Sequence, residues 1–273
     1  LCFECILSKV LLASTQEMLA NRVLLMCPSP LPAIIVPARL ASVRFPGKLL
    51  ADAGGKPLIL RTAERLRQEV PDFEVFFAVD GDELAEILRE EGFEVVITDP
   101  DLPSGTDRIA QANQTLGLDS AINVQADEPM VERSHVLALA EALEKEGAAM
   151  STLAVPFSRE QDFLDPNQVK VVLDQEGYAL YFSRAPIPYP RDAGEERWGR
   201  ETSFAYKHLG MYGYRASFLE SYSQCNQGVL ERLERLEQLR ALEHGFRVGV
   251  SVVEKATIGV DLPEDLENLN FVD

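Results

Sequence analysis

The chain has 273 residues, of which 46% are hydrophobic and 26% charged, so it can bury one large α/β core or two smaller ones without disulfide or metal staples. Its 44 acidic and 26 basic side chains give a formal charge of −18 at pH 7. Such acidity argues against non-specific binding to nucleic acid and to anionic membranes. Cys225 is the only cysteine beyond residue 27. A disulfide framework is therefore not predicted, and a reducing cytoplasmic compartment fits best.

Residues 1–32 differ in character from the rest of the chain. Their apolar pieces, Ile6–Ala13 and Val23–Cys27, are too short to cross a bilayer, and the start LCFEC lacks the basic residues of a signal peptide. We expect residues 1–32 to be an extra segment outside the fold, with Met26 as the true first residue. Residues 33–273 would then form a single domain. A short helix that touches a membrane or a partner protein is the alternative.

Strand and helix patterns alternate from residue 33 to about 155. The predicted strands are Ile34–Val36, Val75–Val79, Val95–Thr98, Ala121–Val124 and Met150–Val155. The predicted helices between them are Pro57–Glu69, Asp82–Glu91, Asp107–Leu116 and Glu132–Glu146. This alternation predicts an α/β fold with a mostly parallel central sheet and helices on both faces.

The second part of the chain has a more mixed pattern. It begins with a predicted β-hairpin, Val169–Leu173 and Tyr178–Phe182, and continues into a loop at 186–203 that is rich in proline, glycine and charge. Further on, the pattern predicts strands at Lys207–Tyr214 and Arg247–Val253 and helices at Val229–His244 and Pro263–Leu269. The long helix carries leucines at core spacing.

A cationic loop follows the first predicted strand. It carries Arg39, Ser42, Arg44 and Lys48, and its glycine, Gly47, lets backbone N–H groups approach a ligand closely. Buried strands of α/β proteins present their carboxyl ends to ligands, so the loop is a candidate cradle for a triphosphate. The sequence is neither a Walker P-loop nor GxGxxG. A solvated basic loop without a ligand is the alternative.

Two aspartates lie where apolar runs end. Asp127 follows the fourth strand, and Asp261 precedes the proline that begins the last helix. Carboxylates at strand ends suit Mg²⁺, which takes one or two of them together with water and phosphate oxygens. The alternative is that each aspartate only caps the helix after it.

Two further sets of polar residues are candidates for ligand contacts. The segment PSGTDR, ending at Arg108, would expose N–H groups at a helix start, although the same residues are ordinary capping chemistry. In the second half, an arginine, a histidine, a tyrosine, a glutamate and a glutamine would suit an acidic sugar: Arg184, His208, Tyr212, Glu237 and Gln238. A core histidine and a solvated helix face are the alternatives. The three histidines form no zinc pattern, and Cys225 has no evident base.

Seven segments together resemble one family, 3-deoxy-manno-octulosonate cytidylyltransferase, also called CMP-Kdo synthetase. In chain order they are PARLASVRFPGK, PSGTDRIA, NVQADEP, VKVVLDQEGYALYFSRAPIP, KHLGMYGYR, LERLERLEQLR and GVDLPEDLE. The resemblance runs from about residue 33 to the C-terminus. It implies a Rossmann-like nucleotidyltransferase fold, with the smaller mixed sheet and hairpin region serving sugar binding and dimerisation. It also implies a homodimer, dependence on Mg²⁺, and CTP and Kdo as substrates in lipopolysaccharide synthesis.

The resemblance also implies residue roles. Arg39, Ser42, Arg44 and Lys48 would hold the triphosphate, Arg108 and Gln125 would lie around the nucleotide, and Asp127 and Asp261 would bind Mg²⁺. Catalysis would rest on Lys48, Arg44 and Asp127. The acidic sugar would contact Arg184, His208, Tyr212, Glu237 and Gln238. Ala126 stands where the family usually has glycine, and its methyl group could press on the ribose.

Other functions compete with this one. A cytidylyltransferase for another acidic sugar, such as 8-amino-Kdo or a sialic acid, differs by only one or two contacts. A catalytically silent nucleotide-binding regulator belongs to a different class, but the presence of both Asp127 and Asp261 disfavours it. A kinase is disfavoured because the Walker motif is absent.

Overall fold

The computed structural model describes residues 31–42, 44–191, 205–269 and 271. The predictions for residues 1–30, and for the loop over 192–203, lie outside the described residues. Within the described part, no helix is both long enough and apolar enough to cross a membrane.

Nine strands form one sheet in the described part of the chain. They are β1 Ala33–Ala38, β2 Val75–Val79, β3 Glu94–Ile97, β4 Ser120–Asn123, β5 Ala148–Pro156, β6 Lys170–Leu173, β7 Ala179–Ser183, β8 Tyr206–Arg215 and β9 Arg247–Val252. The main order is β3-β2-β1-β4-β8-β5-β9, and the hairpin β6–β7 joins at β8. The predicted mostly parallel α/β sheet is confirmed, with one addition: β8 lies antiparallel between β4 and β5.

The helices connect these strands. They are Leu58–Glu69, Asp82–Glu90, Gly105–Leu116, Arg133–Leu143, Glu160–Leu164, Ala216–Tyr222, Val229–Glu234, Gln238–Glu243 and Pro263–Asn268, with a 3-10 turn at Lys48–Leu50. The turn and the helices Glu160–Leu164 and Ala216–Tyr222 were not predicted. Each is too short to show a clear 3.6-residue hydrophobic period.

The single long helix predicted for Val229–His244 is wrong. Arg235 adopts a left-handed backbone conformation, with φ 54° and ψ 51°, and separates two short helices. Leu236 and Leu239 are buried, whereas Leu233 is 76% exposed. The chain changes direction at Arg235, so leucines spaced for one continuous helix no longer share a face.

The sheet determines where a ligand can bind. β1 runs parallel to β2 on one side and to β4 on the other, so the order of the strands reverses at β1. Ligands of open α/β sheets bind at this kind of switch point, beyond the carboxyl ends of the strands. All six residues of β1 are buried, which holds the strand rigidly in the core. The loops after β1 and β4 therefore lie side by side.

Candidate active site

A cavity of about 310 Å³ lies at this switch point. Its walls include every residue predicted to bind nucleotide or metal: Arg39, Ser42, Arg44, Lys48, Arg108, Gln125, Asp127 and Asp261. Gly47, with φ 70°, makes the left-handed turn that begins the 3-10 turn carrying Lys48. The predicted cationic loop thus forms one wall of a cavity, and triphosphate binding by this loop stays a prediction.

Lys48 joins the two aspartates of this cavity. Its ammonium group donates to a carboxylate oxygen of Asp127 and, at 2.7 Å, to the backbone carbonyl of Val260. One oxygen of Asp261 lies 3.8 Å from the same nitrogen, and Arg44 binds Asp261 at 2.9 Å. The Lys48 side chain is only 11% exposed. Two carboxylates distant in sequence therefore face one buried cation.

The capping alternative is wrong for both aspartates. The carboxylate of Asp265, not that of Asp261, accepts from the backbone N–H groups of Asp261 and Leu262 at the start of the last helix. The helix Arg133–Leu143 is capped by Glu132 together with His135. Neither aspartate therefore caps a helix, and Asp261 does not lie at a strand end as expected, because β9 ends at Val252.

The donor set of this cavity fits Mg²⁺. Mg²⁺ is bound through one or two protein carboxylates and completes its shell with water and substrate phosphates. In the described residues, no cluster of three or more histidine, cysteine, aspartate or glutamate side chains could hold a metal alone. Asp127 and Asp261 converge on the Lys48 ammonium, which shows that this point favours positive charge.

Glu128 adds a third carboxyl group beside Asp127. One of its oxygens is buried and has no hydrogen-bond partner among the described residues. Burial raises the pKa of Glu128 to about 7, a hydrogen bond from Thr257 opposes the shift, and the neighbouring Asp127 charge adds to it. The sequence carries no signal for Glu128, because only the tertiary structure buries it.

The start of the helix Gly105–Leu116 forms the opposite wall. Ser104 and Gly105 line the cavity, and the Ser104 hydroxyl caps the helix by accepting from the N–H of Asp107 at 3.1 Å. The PSGTDR segment therefore caps the helix and also lines the cavity, while contact between its N–H groups and a ligand stays a prediction. Arg108 is buried on this helix and donates to the Thr98 hydroxyl, and burial lowers its pKa.

Ala126 is buried in the same cavity wall. Its carbonyl accepts from the Thr62 hydroxyl at 2.9 Å, which ties the loop after β4 to the helix Leu58–Glu69. The methyl group of Ala126 therefore sits on a fixed backbone beside Asp127.

A second cavity, of about 260 Å³, lies on the other side of the same helix start. Gly105 lines the first cavity and its neighbour Thr106 lines the second. Three of the five predicted sugar-binding residues are on the walls of the second cavity: Tyr212, Glu237 and Gln238. Desolvation raises the pKa of Glu237, and the charge of Arg240 opposes this shift.

The structure places His208 behind this cavity. Its Nε2 lies 2.9 Å from the Thr152 hydroxyl, and its ring packs against Phe182 and Tyr212. Burial lowers the pKa of His208 to about 3, so the ring is neutral near pH 7. This environment matches the core-histidine alternative.

Arg184 also lies behind the second cavity. It donates to three backbone carbonyls: from Nε to Glu234 at 2.7 Å, from Nη1 to Pro166 at 3.1 Å and from Nη2 to Arg235 at 3.5 Å. The carboxylate of Glu234 accepts in turn from Ser183 and from the N–H of Arg184. Arg184 thus fixes the break between the two short helices.

Several side chains of the second cavity were not predicted from the sequence. They are Met150, Tyr214, Phe218, Tyr222, Arg235 and Leu236. Tyr214 had a signal, because it lies two residues from Tyr212 and so faces the same side of β8. The others come together only through the turn at Arg235 and the unpredicted helix Ala216–Tyr222.

An ion pair packs against Tyr222, one of the tyrosines that line the second cavity. Arg240 binds both oxygens of Glu231, at 2.6 and 2.7 Å, and Glu231 is only 2% exposed. The guanidinium lies 4.5 Å from the ring centre of Tyr222. A buried carboxylate needs such a partner, and the stacked cation holds Tyr222 against the cavity.

Comparisons with known proteins agree with this geometry. A family model described as cytidylyltransferase matches residues 33–255. The chain belongs to the cytidylyltransferase family. It is an enzyme of the nucleotidyltransferase class, and the resemblance that its motifs indicate is confirmed by a solved structure.

That structure is CMP:2-keto-3-deoxy-manno-octonic acid synthetase complexed with CTP. It is 37% identical to this cytidylyltransferase, with a TM-score of 0.79, and the match covers 87% of this chain and 95% of that one.

Two more distant structures share the fold. A cytidylyltransferase from Leptospira borgpetersenii is 15% identical, with a TM-score of 0.55 over 88% of this chain and 84% of the other. A putative glucose-1-phosphate thymidylyltransferase from Bacillus anthracis is 14% identical, with a TM-score of 0.57 over 88% of this chain and 97% of the other. At these identities the likeness concerns the fold alone.

Proposed function

We propose that this cytidylyltransferase transfers CMP from CTP to 3-deoxy-manno-octulosonate (Kdo), releasing pyrophosphate and forming CMP-Kdo for lipopolysaccharide synthesis in the cytoplasm. The observation that carries the proposal is the pair of cavities that meet at the start of the helix Gly105–Leu116. One cavity is cationic and holds two aspartates, and the other is lined by tyrosines and amide and carboxyl groups. The 37% identity to the synthetase solved with CTP supports the choice of nucleotide and sugar.

The first cavity would hold CTP. Arg39, Ser42, Arg44 and Lys48 would bind the triphosphate, with Arg108 and Gln125 around the nucleotide. The chain carries a formal charge of −18, so an anionic nucleotide needs this local concentration of guanidinium and ammonium groups. Arginine matches phosphate with a bidentate fork, and Lys48 supplies a point charge.

Asp127 and Asp261 would hold Mg²⁺ in the same cavity. Bound there, Mg²⁺ would supply Lewis-acid stabilisation of the charge that develops on the phosphate oxygens. Lys48 pairs with both carboxylates and so keeps the two aspartates close together. Its ammonium group would also contribute positive charge to the triphosphate held in the same cavity.

The reaction would be a single displacement. The anomeric hydroxyl oxygen of the sugar would form a bond to the α-phosphorus, the bond to the departing pyrophosphate would break, and the hydroxyl proton would pass to solvent water. Lys48 and Arg44 would stabilise the charge on the phosphates. Asp127, the third proposed catalytic residue, would hold Mg²⁺ beside them. No activated nucleophile of the enzyme is required, and the helix start between the cavities would set the two substrates side by side.

The second cavity would hold the acidic sugar. Tyr212, Glu237 and Gln238 would bind hydroxyl groups, while the direct contacts predicted for Arg184 and His208 remain predictions. Glu237 accepts hydrogen bonds from an ammonium group as readily as from a hydroxyl group. For this reason 8-amino-Kdo is the second candidate substrate, and a sialic acid is the third.

The proposal includes a homodimer. Large apolar side chains are exposed at the edge of the mixed region, where Leu180 is 60% and Leu233 is 76% exposed. A contact between two copies would remove such side chains from water.

Pyrophosphate release tests the proposal. The full chain and a chain starting at Met26 are assayed with CTP and Kdo, each substrate alone and both together, with and without Mg²⁺. We expect release that requires both substrates and Mg²⁺, at equal rates for the two chains. Folded protein that binds CTP but transfers CMP to none of Kdo, 8-amino-Kdo and sialic acid would leave the silent regulator as the better description.

A further inference from the structure

Three arginines surround the second cavity, and their side chains are engaged differently. Arg184 donates to three backbone carbonyls, and Arg240 is paired with Glu231. Arg235 lines the cavity, and its guanidinium has no hydrogen-bond or ion-pair partner among the described residues. Among the described lining residues of this cavity, Arg235 is the only cation and Glu237 the only carboxylate.

The backbone of Arg235 is fixed in an unfavourable conformation. It is the only non-glycine residue in the described chain with positive φ. Its N–H bonds to the carbonyl of Glu231, and its own carbonyl accepts from Arg184 at 3.5 Å. The next residue, Leu236, is anchored in the core at 6% exposure. Glycine would adopt this turn with less strain, so what Arg235 contributes is its side chain.

An acidic sugar in this cavity needs a cation. The walls offer tyrosine hydroxyls, one threonine, one amide and the carboxylate of Glu237, and these groups leave a sugar carboxylate without a charged partner. A desolvated carboxylate next to Glu237 would be strongly unfavourable without a positive group. Arg184 lies behind the turn, and its guanidinium donates to backbone carbonyls.

We propose that Arg235 binds the carboxylate group of the acidic sugar, and that Arg184 is a positioning residue that holds the turn from which Arg235 projects. The inference rests on the proposed function, because it assumes that the acceptor is an acidic sugar. It goes further by assigning the carboxylate to a residue that the family resemblance did not point to.

The test compares three variants. Arg235→Asn removes the charge while keeping a residue that tolerates the left-handed turn, and Arg235→Lys keeps the charge. Arg232→Asn is the matched control, because Arg232 is exposed on the short helix that ends just before Arg235 and donates to the carbonyl of Gln227. For each variant, KM for Kdo, KM for CTP and kcat are measured, with thermal melting to confirm folding.

We expect Arg235→Asn to raise KM for the sugar at least about 10-fold, the scale of one lost hydrogen bond to a charged group. KM for CTP should stay within about twofold, Arg235→Lys should recover most of the loss, and Arg232→Asn should match the wild type. An analogue in which the sugar carboxylate is reduced to an alcohol should bind wild type and Arg235→Asn equally.

Two results separate the possible failures. An unchanged sugar KM in Arg235→Asn, or an equal rise in the CTP KM, overturns this inference while normal CMP transfer leaves the proposed function standing. Absence of CMP transfer to Kdo, 8-amino-Kdo and sialic acid by the wild-type enzyme overturns the proposed function and this inference together.

Discussion

The two cavities are assembled in different ways. Most residues of the first lie in the loops after β1 and β4, two parallel strands that bring those loops together at one edge of the sheet. The second is built from an antiparallel strand, a helix start and the break at Arg235. A side chain at the end of a parallel strand is placed by the sheet itself, whereas one beside a helix break depends on packing from several directions.

The largest expected effect tests the first cavity. Asp127→Asn should fold normally and lose at least about 100-fold in turnover, the scale of one lost charge-stabilising group. Its carboxylate touches Lys48, so the variant also weakens the pairing that holds that ammonium. Steady-state kinetics with CTP and Kdo measure the loss. Asp101→Asn, at an exposed position, is the control. Near-wild-type turnover in Asp127→Asn would contradict the catalytic role proposed for Asp127.

A smaller effect is expected behind the second cavity. Arg184→Ala should raise KM for the sugar about 10-fold, while KM for CTP changes little, because Arg184 supports only the turn beside that cavity. The two KM values are measured on the same preparation, with Arg159→Ala, an exposed arginine paired with Asp162, as control. Equal rises in both values would remove Arg184 from the sugar side.

The pH dependence of stability probes the buried environment of His208, behind the second cavity. The folded pKa of His208 is about 3, below its usual 6.5, so between these values only the unfolded chain binds the proton. This histidine therefore costs stability progressively as pH falls below 6.5, by about 2 kcal/mol at pH 5.

Urea unfolding of the wild type and His208→Gln at pH 7 and pH 5 measures this contribution. The variant should lose less stability on acidification, because glutamine binds no proton. His244→Gln, at an exposed histidine, should follow the wild type. Equal losses in wild type and His208→Gln would show that the folded state accepts the proton at His208.

The smallest effect concerns Ala126. Its methyl group lines the first cavity on a backbone fixed by Thr62. Ala126→Gly should lower KM for CTP by no more than about fourfold, since one methyl group is worth roughly 0.8 kcal/mol. Competition between CTP and dCTP measures the effect at the ribose. A large rise in KM for CTP would mean that the methyl group contacts the nucleotide favourably.

Much of the first cavity was predictable from the sequence. The strand pattern at Ile34–Val36 places the cationic loop at a carboxyl end, and the apolar run before Asp127 places that residue at the same edge. Asp261 was expected at a strand end, but β9 ends at Val252. The neighbour of Asp261, Val260, is held beside Asp127 by a backbone hydrogen bond, which only the tertiary structure shows.

The local pattern left open whether the two aspartates cap helices, and the structure shows that Asp265 and Glu132 do so instead. Metal binding by Asp127 and Asp261 stays a prediction.

The second cavity was decided mainly by tertiary structure. The leucine spacing after Val229 indicates a helix but carries no sign that Arg235 adopts a left-handed conformation. The turn is held by Arg184, which directly follows β7 and is distant in sequence. The polar pattern likewise does not say that His208 faces Thr152 in the core. The sequence alone determined the α/β sheet, the cationic loop and the place of Asp127, since each depends on hydrophobic period and strand ends. Tertiary structure alone decided which cation faces the second cavity, because this depends on the hydrogen-bond and ion-pair partners of each arginine.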